Sequence, residues 1–234
     1  MQPPLRPTPD PTWRPLPRAL VTLVMVMVGI ELLLQLADAG IVGDRSLRLR
    51  VYLLGAFWAS LFYDAQPVFT LQPVTMFVSH ALLHGGLLHL GMNAAVLLGL
   101  GRLIGDRYGA GAILPLFLLS AIAGGAAFAL LNVSDIPMVG ASGAVFGFLG
   151  VWTAWDWQRH RAHGVSTRPV VMRAVALLLI NVLFFFGLGG MIAWEAHLGG
   201  YVAGLGFGAW LEREIALAER RDRAEARRRD RGES

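Results

Sequence analysis

Gly140-Ala141-Ser142-Gly143 heads an apolar run over 144–155, and a serine between glycines at the start of a hydrophobic helix sits where a nucleophile can be exposed yet sheltered. Small residues also let membrane helices pack closely, so the tetrapeptide alone supports either role. A catalytic serine needs a base and donors for an oxyanion. One partner is His197: Gly200, Gly204 and Gly208 follow it at i+3, i+7 and i+11 on the same helix face, so the imidazole faces whichever helix packs closest. If that is the helix of Ser142, base and hydroxyl meet. A histidine that caps an outer loop is the other reading. His89 and Asn93 stand four apart on a further apolar segment, share a face and carry N–H donors suited to an oxyanion. His84, about 140° round a helix from His89, is expected to fix a loop.

Other chemistries fit less well. His80 and His84 have metal-pair spacing, but no third ligand and no His-Glu-x-x-His accompany them, and no two spans offer facing aspartates. Cysteine is absent and every basic residue is arginine, which excludes thiolate and lysine catalysis. No cofactor and no metal are expected.

The elements that must position these residues are membrane helices. Of 234 residues, 55% are hydrophobic and 15% charged, where a soluble domain carries about 25% charged. Six spans are expected, at 19–36, 81–103, 112–131, 142–157, 170–187 and 192–211, with Glu31 and Gln35 interrupting the first. Between the first two runs a long, partly helical interfacial connection, 38–77. The chain thus divides into a proline-rich, disordered arm at 1–17 (not a signal peptide), a membrane domain at 18–211 and a charged helical tail at 212–234. All but Arg45, Arg48 and Arg50 of the 20 arginines fall on one side of this topology. The positive-inside rule puts both termini in the cytoplasm, with Ser142, His197 and the His84/His89 end toward the outer face. The net charge of +4 therefore orients the protein in a bilayer, and nucleic acid is not an expected partner. Gly187, Gly189 and Gly190 give the fifth connection freedom to move as a lid, beside an apolar gate at 184–186.

Three separated motifs in this order, His84-x4-His89-x3-Asn93, Gly140-Ala-Ser142-Gly and Ala196-His197-x2-Gly200-x2-Ala203-Gly204, resemble those of the rhomboid family of intramembrane serine proteases over about 70–210. The resemblance implies an all-α polytopic membrane protein, a six-transmembrane-helix rhomboid-like bundle, in a bacterial inner membrane. It implies Ser142 as nucleophile and His197 as general base in a dyad without a third acidic member. The oxyanion would be held by the His89 and Asn93 side chains and the Ser142 amide, with Gly140 shaping the loop, His84 in support and Phe146 packed on the His197 ring. Substrates would be membrane proteins with a transmembrane helix, locally unwound for attack. The chain departs from the family where Thr75-Met76 stands for a frequent Trp-Arg, Gly105 for a frequent glutamate, and Phe146 for a frequent tyrosine. A non-catalytic relative that binds client helices is the alternative; such relatives typically lack the serine or the histidine. A transporter has no support, since no internal repeat is found.

Overall fold

A computed structural model describes residues 15–63, 65–132, 136–187 and 192–230. Most of the expected N-terminal arm, the lid glycines Gly189 and Gly190, and the end of the tail lie outside these residues. Eight α-helices are described: α1 (Arg18–Asp38), α2 (Leu47–Gly55), α3 (Gln72–Ser79), α4 (Leu87–Tyr108), α5 (Ile113–Leu131), α6 (Ser142–Ala162), α7 (Arg168–Gly187) and α8 (Trp194–Asp230). Four segments are long and apolar enough to cross a membrane: α1, α4, α5 with the 3-10 turn before it, and α7. In α6 and α8 the apolar stretch is shared with glycines and runs into charged residues, so composition alone does not mark them as spans.

The connection expected at 38–77 is partly helical, containing α2, a 3-10 turn at 59–62 and the start of α3. The second expected span is cut differently. Instead of one helix from residue 81, α3 and a 3-10 turn over His80–Leu82 come first, and α4 begins only at Leu87. Gly86 has φ +120°, a conformation that side chains avoid, so a helix cannot run through it. His84 therefore lies in the turn before α4, not on the helix of His89, and the 140° relation between them does not apply.

The centre of the bundle is made by α5, α6 and α8. Leu97 and Ile104 of α4, Ile113, Leu116 and Phe117 of α5, and Phe148 and Val151 of α6 are fully buried in one core, with Leu20 and Met27 of α1 against it. At the α6–α8 crossing the contact is backbone on backbone. A Cβ at Gly200 would collide with the carbonyl of Gly143, one at Gly204 with that of Gly147, and one at Gly208 would stand 2.9 Å from Val151 Cα. The other side of α8 meets α5 in the same way, Gly199 against the Ala123 carbonyl and the Ala127 methyl. In a bilayer no hydrophobic driving force favours helix over lipid, so such close van der Waals contact is what holds the helices together.

Around this centre α1 lies against α4, with Leu20 filling the space left by Gly101. Gly105, where the family often has glutamate, is closed by the Pro17 ring, 2.6 Å from where a Cβ would stand. α7 packs thinly: Leu179, Leu183 and Phe186 are 61%, 68% and 75% exposed, as suits a helix whose neighbour is lipid. α8 continues beyond its glycines to Asp230, and Glu212 on it accepts hydrogen bonds from Arg107 (3.1 Å) and Tyr108 (2.5 Å) at the end of α4.

The crossing predicts opposite outcomes for two nearby glycines. Gly204→Val must push α8 off α6 and is expected to destabilise the fold by about 3 kcal/mol or more. Gly206→Ala meets nothing within 4 Å and should be neutral, or stabilising by up to about 1 kcal/mol. Reversible unfolding in mixed micelles measures both.

Candidate active site

Ser142 is the first residue of α6 and is half-buried. The first N–H groups of a helix have no carbonyl to bond within it and carry the positive end of its dipole, so negative charge beside Ser142 is favoured before any side chain acts. The approach to Ser142 is held at three successive points. Met138 and Phe57 exchange backbone hydrogen bonds of 2.9 Å each. Gly140 N–H donates to the His80 carbonyl at 2.9 Å, and Ala141 N–H donates to His84 Nε2 at 3.4 Å. Gly140 has φ +125°, and a Cβ there would stand 2.7 Å from His89 Cε1 and 2.9 Å from Nε2. Only glycine meets both demands.

His80 and His84 are thus parts of the scaffold. The buried His80 ring bonds the Met76 carbonyl through Nδ1 at 2.7 Å and stands edge-on to Phe57. Among the described residues, no three His, Cys, Asp or Glu side chains gather where a metal could be held. The turn carrying His84 is fixed by a network that joins Arg48, read from the sequence as membrane-orienting, to Glu31, read as an interruption of the first span. The His84 carbonyl accepts from Tyr52 Oη at 2.6 Å and from Arg48 Nη1 at 3.2 Å. Arg48 also donates to Glu31 at 3.0 Å and to Asp38 at 2.6 Å, and Gln35 donates to Glu31 at 2.8 Å. Glu31 is fully buried, and this pairing accounts for a carboxylate inside an apolar helix. Arg48, which ties the turn of His84 to α1, lies on α2, while Met76 is buried among apolar side chains.

His89 and Asn93 do share a face of α4. Gly85 N–H donates to His89 Nδ1 at 3.3 Å, and a neutral ring that accepts there carries its proton on Nε2, the nitrogen beside Gly140. The Asn93 amide donates to the His89 carbonyl at 2.9 Å, which leaves its second N–H. Asn93 is buried and His89 half-buried.

His197, in the first turn of α8, comes to α6 at the Gly143–Gly200 contact. Its ring stacks on Phe146 with centroids 4.2 Å apart and planes 7° from parallel. Its Nδ1 lies 2.8 Å from Asn181 Oδ1 of α7. Among the described residues Ser142 Oγ makes no hydrogen bond with His197, and Nε2 is the imidazole atom left over. The chain's motifs did not single out Asn181. The one signal that could have found it is an amide in an otherwise apolar span.

Comparison with known proteins agrees with this architecture. The Rhomboid domain matches residues 72–214, so the chain belongs to the rhomboid family. The chain is 32% identical over 124 residues to Rhomboid protease GluP of Bacillus subtilis, a match covering 52% of this chain and 23% of that protein. It is 28% identical over 168 residues to Rhomboid-like protease 3 of Toxoplasma gondii, covering 70% and 59%. To Rhomboid protease GlpG of Yersinia pseudotuberculosis it is 34% identical over 140 residues, covering 59% and 49%. The chain thus spans between about a quarter and three-fifths of these relatives' lengths. The apolar helices and the family together make it a multi-pass membrane protein of a protease family.

Two arginines in the first connection should separate by their burial. Arg48→Ala leaves Glu31 buried without its partner and is expected to cost about 3 kcal/mol. Arg50→Ala removes only an exposed pair with Asp44 and should cost less than about 1 kcal/mol. Chemical unfolding of the two variants in detergent measures the difference.

Proposed function

We propose that this chain is an intramembrane serine endopeptidase that hydrolyses peptide bonds in or near transmembrane segments of other membrane proteins. The observation that carries the proposal is the placing of His197 against the Ser142 helix, its ring held by Phe146 and its Nδ1 engaged, so that Nε2 remains as a base. Ser142 Oγ attacks the scissile carbonyl carbon as Nε2 takes its proton. The carbonyl π electrons move onto oxygen, where the Ser142 N–H, the His89 Nε2–H and the free N–H of Asn93 are the donors. Collapse of that oxyanion breaks the C–N bond, and the proton on Nε2 goes to the departing amine. Water then repeats the sequence on the acyl-enzyme and frees Ser142.

In this reading α6 and α8 cross the membrane with the four more apolar segments, both termini are cytoplasmic, and the site opens toward the outer face of a bacterial inner membrane. Arginine placement supports that orientation. The partners are the bilayer and substrates with a transmembrane helix; neither metal nor nucleic acid takes part. A substrate helix must unwind locally before its carbonyls can be attacked, which favours small or helix-breaking residues at the cut.

The test is cleavage of a single-span substrate by purified protein in liposomes. Ser142→Ala and His197→Ala are each expected to abolish cleavage, and Ser142→Ala to abolish labelling by a fluorophosphonate. Asn93→Ala is expected to lower kcat by about 100-fold. Cleavage at the wild-type rate by Ser142→Ala would exclude the serine mechanism. A wild-type protein that binds the substrate helix but neither cuts nor labels would be a non-catalytic client binder.

A further inference from the structure

Along α7 most described side chains are exposed, and those that are not form one stripe: Val170 and Asn181 (8% exposed) are buried, and Ala174, Leu177 and Phe185 are half-buried. Leu178 and Leu179 before it and Val182 and Leu183 after it are between 44% and 68% exposed. Asn181 is thus the one polar member of an otherwise apolar inward stripe on a helix whose other faces are exposed. An amide at this depth is costly unless its groups are bonded, and the partner here is the candidate base itself. Asn181 Oδ1 lies 2.8 Å from His197 Nδ1, both residues being buried.

We propose that Asn181 is a positioning residue for His197, an uncharged third member of the catalytic set; this rests on the serine-protease reading above. A carbonyl oxygen can only accept, so the hydrogen bond places the imidazole proton on Nδ1. The neutral ring then presents its lone pair at Nε2, the form a general base must have before attack. Phe146 and Asn181 divide the work of orientation. Stacking on Phe146 sets the plane of the ring, and the bond to Asn181 sets its rotation within that plane and its tautomer. When Nε2 gains the proton of Ser142, the Nδ1–H bond strengthens, because a charge-assisted hydrogen bond is stronger than a neutral one. A carboxylate could do the same, but it would bring a full charge into an apolar site. An amide supplies the acceptor without that cost, as it does in Cys-His-Asn proteases.

The experiment uses the full chain in detergent micelles with 15N-labelled imidazoles, alongside cleavage kinetics in liposomes. In the wild type, the His197 signal, assigned by its loss in His197→Ala, is expected to be that of the Nδ1-protonated tautomer. In Asn181→Leu, which keeps the size and removes the acceptor, this tautomer is expected to lose its dominance. The same variant should lose at least about tenfold in kcat with KM within about twofold. Asn181→Asp, which keeps an acceptor, should restore most of kcat. A wild-type signal with the proton on Nε2, or an Asn181→Leu variant with unchanged kcat, overturns the proposal. If Asn181→Leu fails to fold, the wild-type tautomer and the Asn181→Asp rate decide. If the wild type neither cleaves nor labels, the protease reading has failed, and the tautomer measurement still decides whether Asn181 sets the state of His197.

Discussion

The contact of glycine with backbone between α6 and α8 is the constraint on which the remaining structure depends. Gly200 sits on the Gly143 carbonyl and Gly204 on that of Gly147, so the two helices approach as closely as their main chains permit. Ser142 and Phe146 lie at the end of α6 where this contact begins, and His197 lies one turn before Gly200. The spacing of serine and histidine is therefore not set by their own side chains but by glycines one and two turns deeper. Any side chain at those positions would separate the helices, and with them Ser142 and His197. Dispersion between closely packed backbones does here what the hydrophobic effect does in a soluble enzyme.

A second arrangement holds the loop that leads to Ser142. Three backbone groups, at Met138, Gly140 and Ala141, bond to Phe57, His80 and His84. The turn carrying His84 is held in turn by Tyr52 and Arg48, and Arg48 by Glu31 and Asp38. Glu31, which interrupts the first span, is thus linked through Arg48 and His84 to Ala141, next to Ser142. Two departures from the family pattern have their own local surroundings. Met76 is buried among apolar side chains, and the space beside Gly105 is filled by the Pro17 ring.

Much of the site was legible without coordinates. His89 and Asn93 on one face and the glycine stripe after His197 follow from the 3.6-residue period, and the packing of Phe146 on the His197 ring is what the family resemblance implied. What the period could not supply is contact between distant elements. Arg48 meets Glu31 from 17 positions away, and Asn181 meets His197 from 16, each on a different helix. Nothing local distinguishes Asn181 from any other polar residue in a span. The placing of His84 failed for a different reason. Apolar composition carries the helix pattern straight through Gly85-Gly86, whereas the positive φ of Gly86 breaks it.

The amino-acid sequence by itself determined that the chain lies in a membrane and that it is helical, and it named the residues proposed to carry its chemistry. Those properties depend on composition and on short-range periodicity, both of which are written along the chain. Only the tertiary structure decided that α8 packs on α6, that Gly140 must accommodate the His89 ring, and that His197 is held from α7. The physical reason is that close packing and hydrogen bonding act between side chains that folding alone brings together. The sequence names the groups, but their mutual distances exist only once the helices have met.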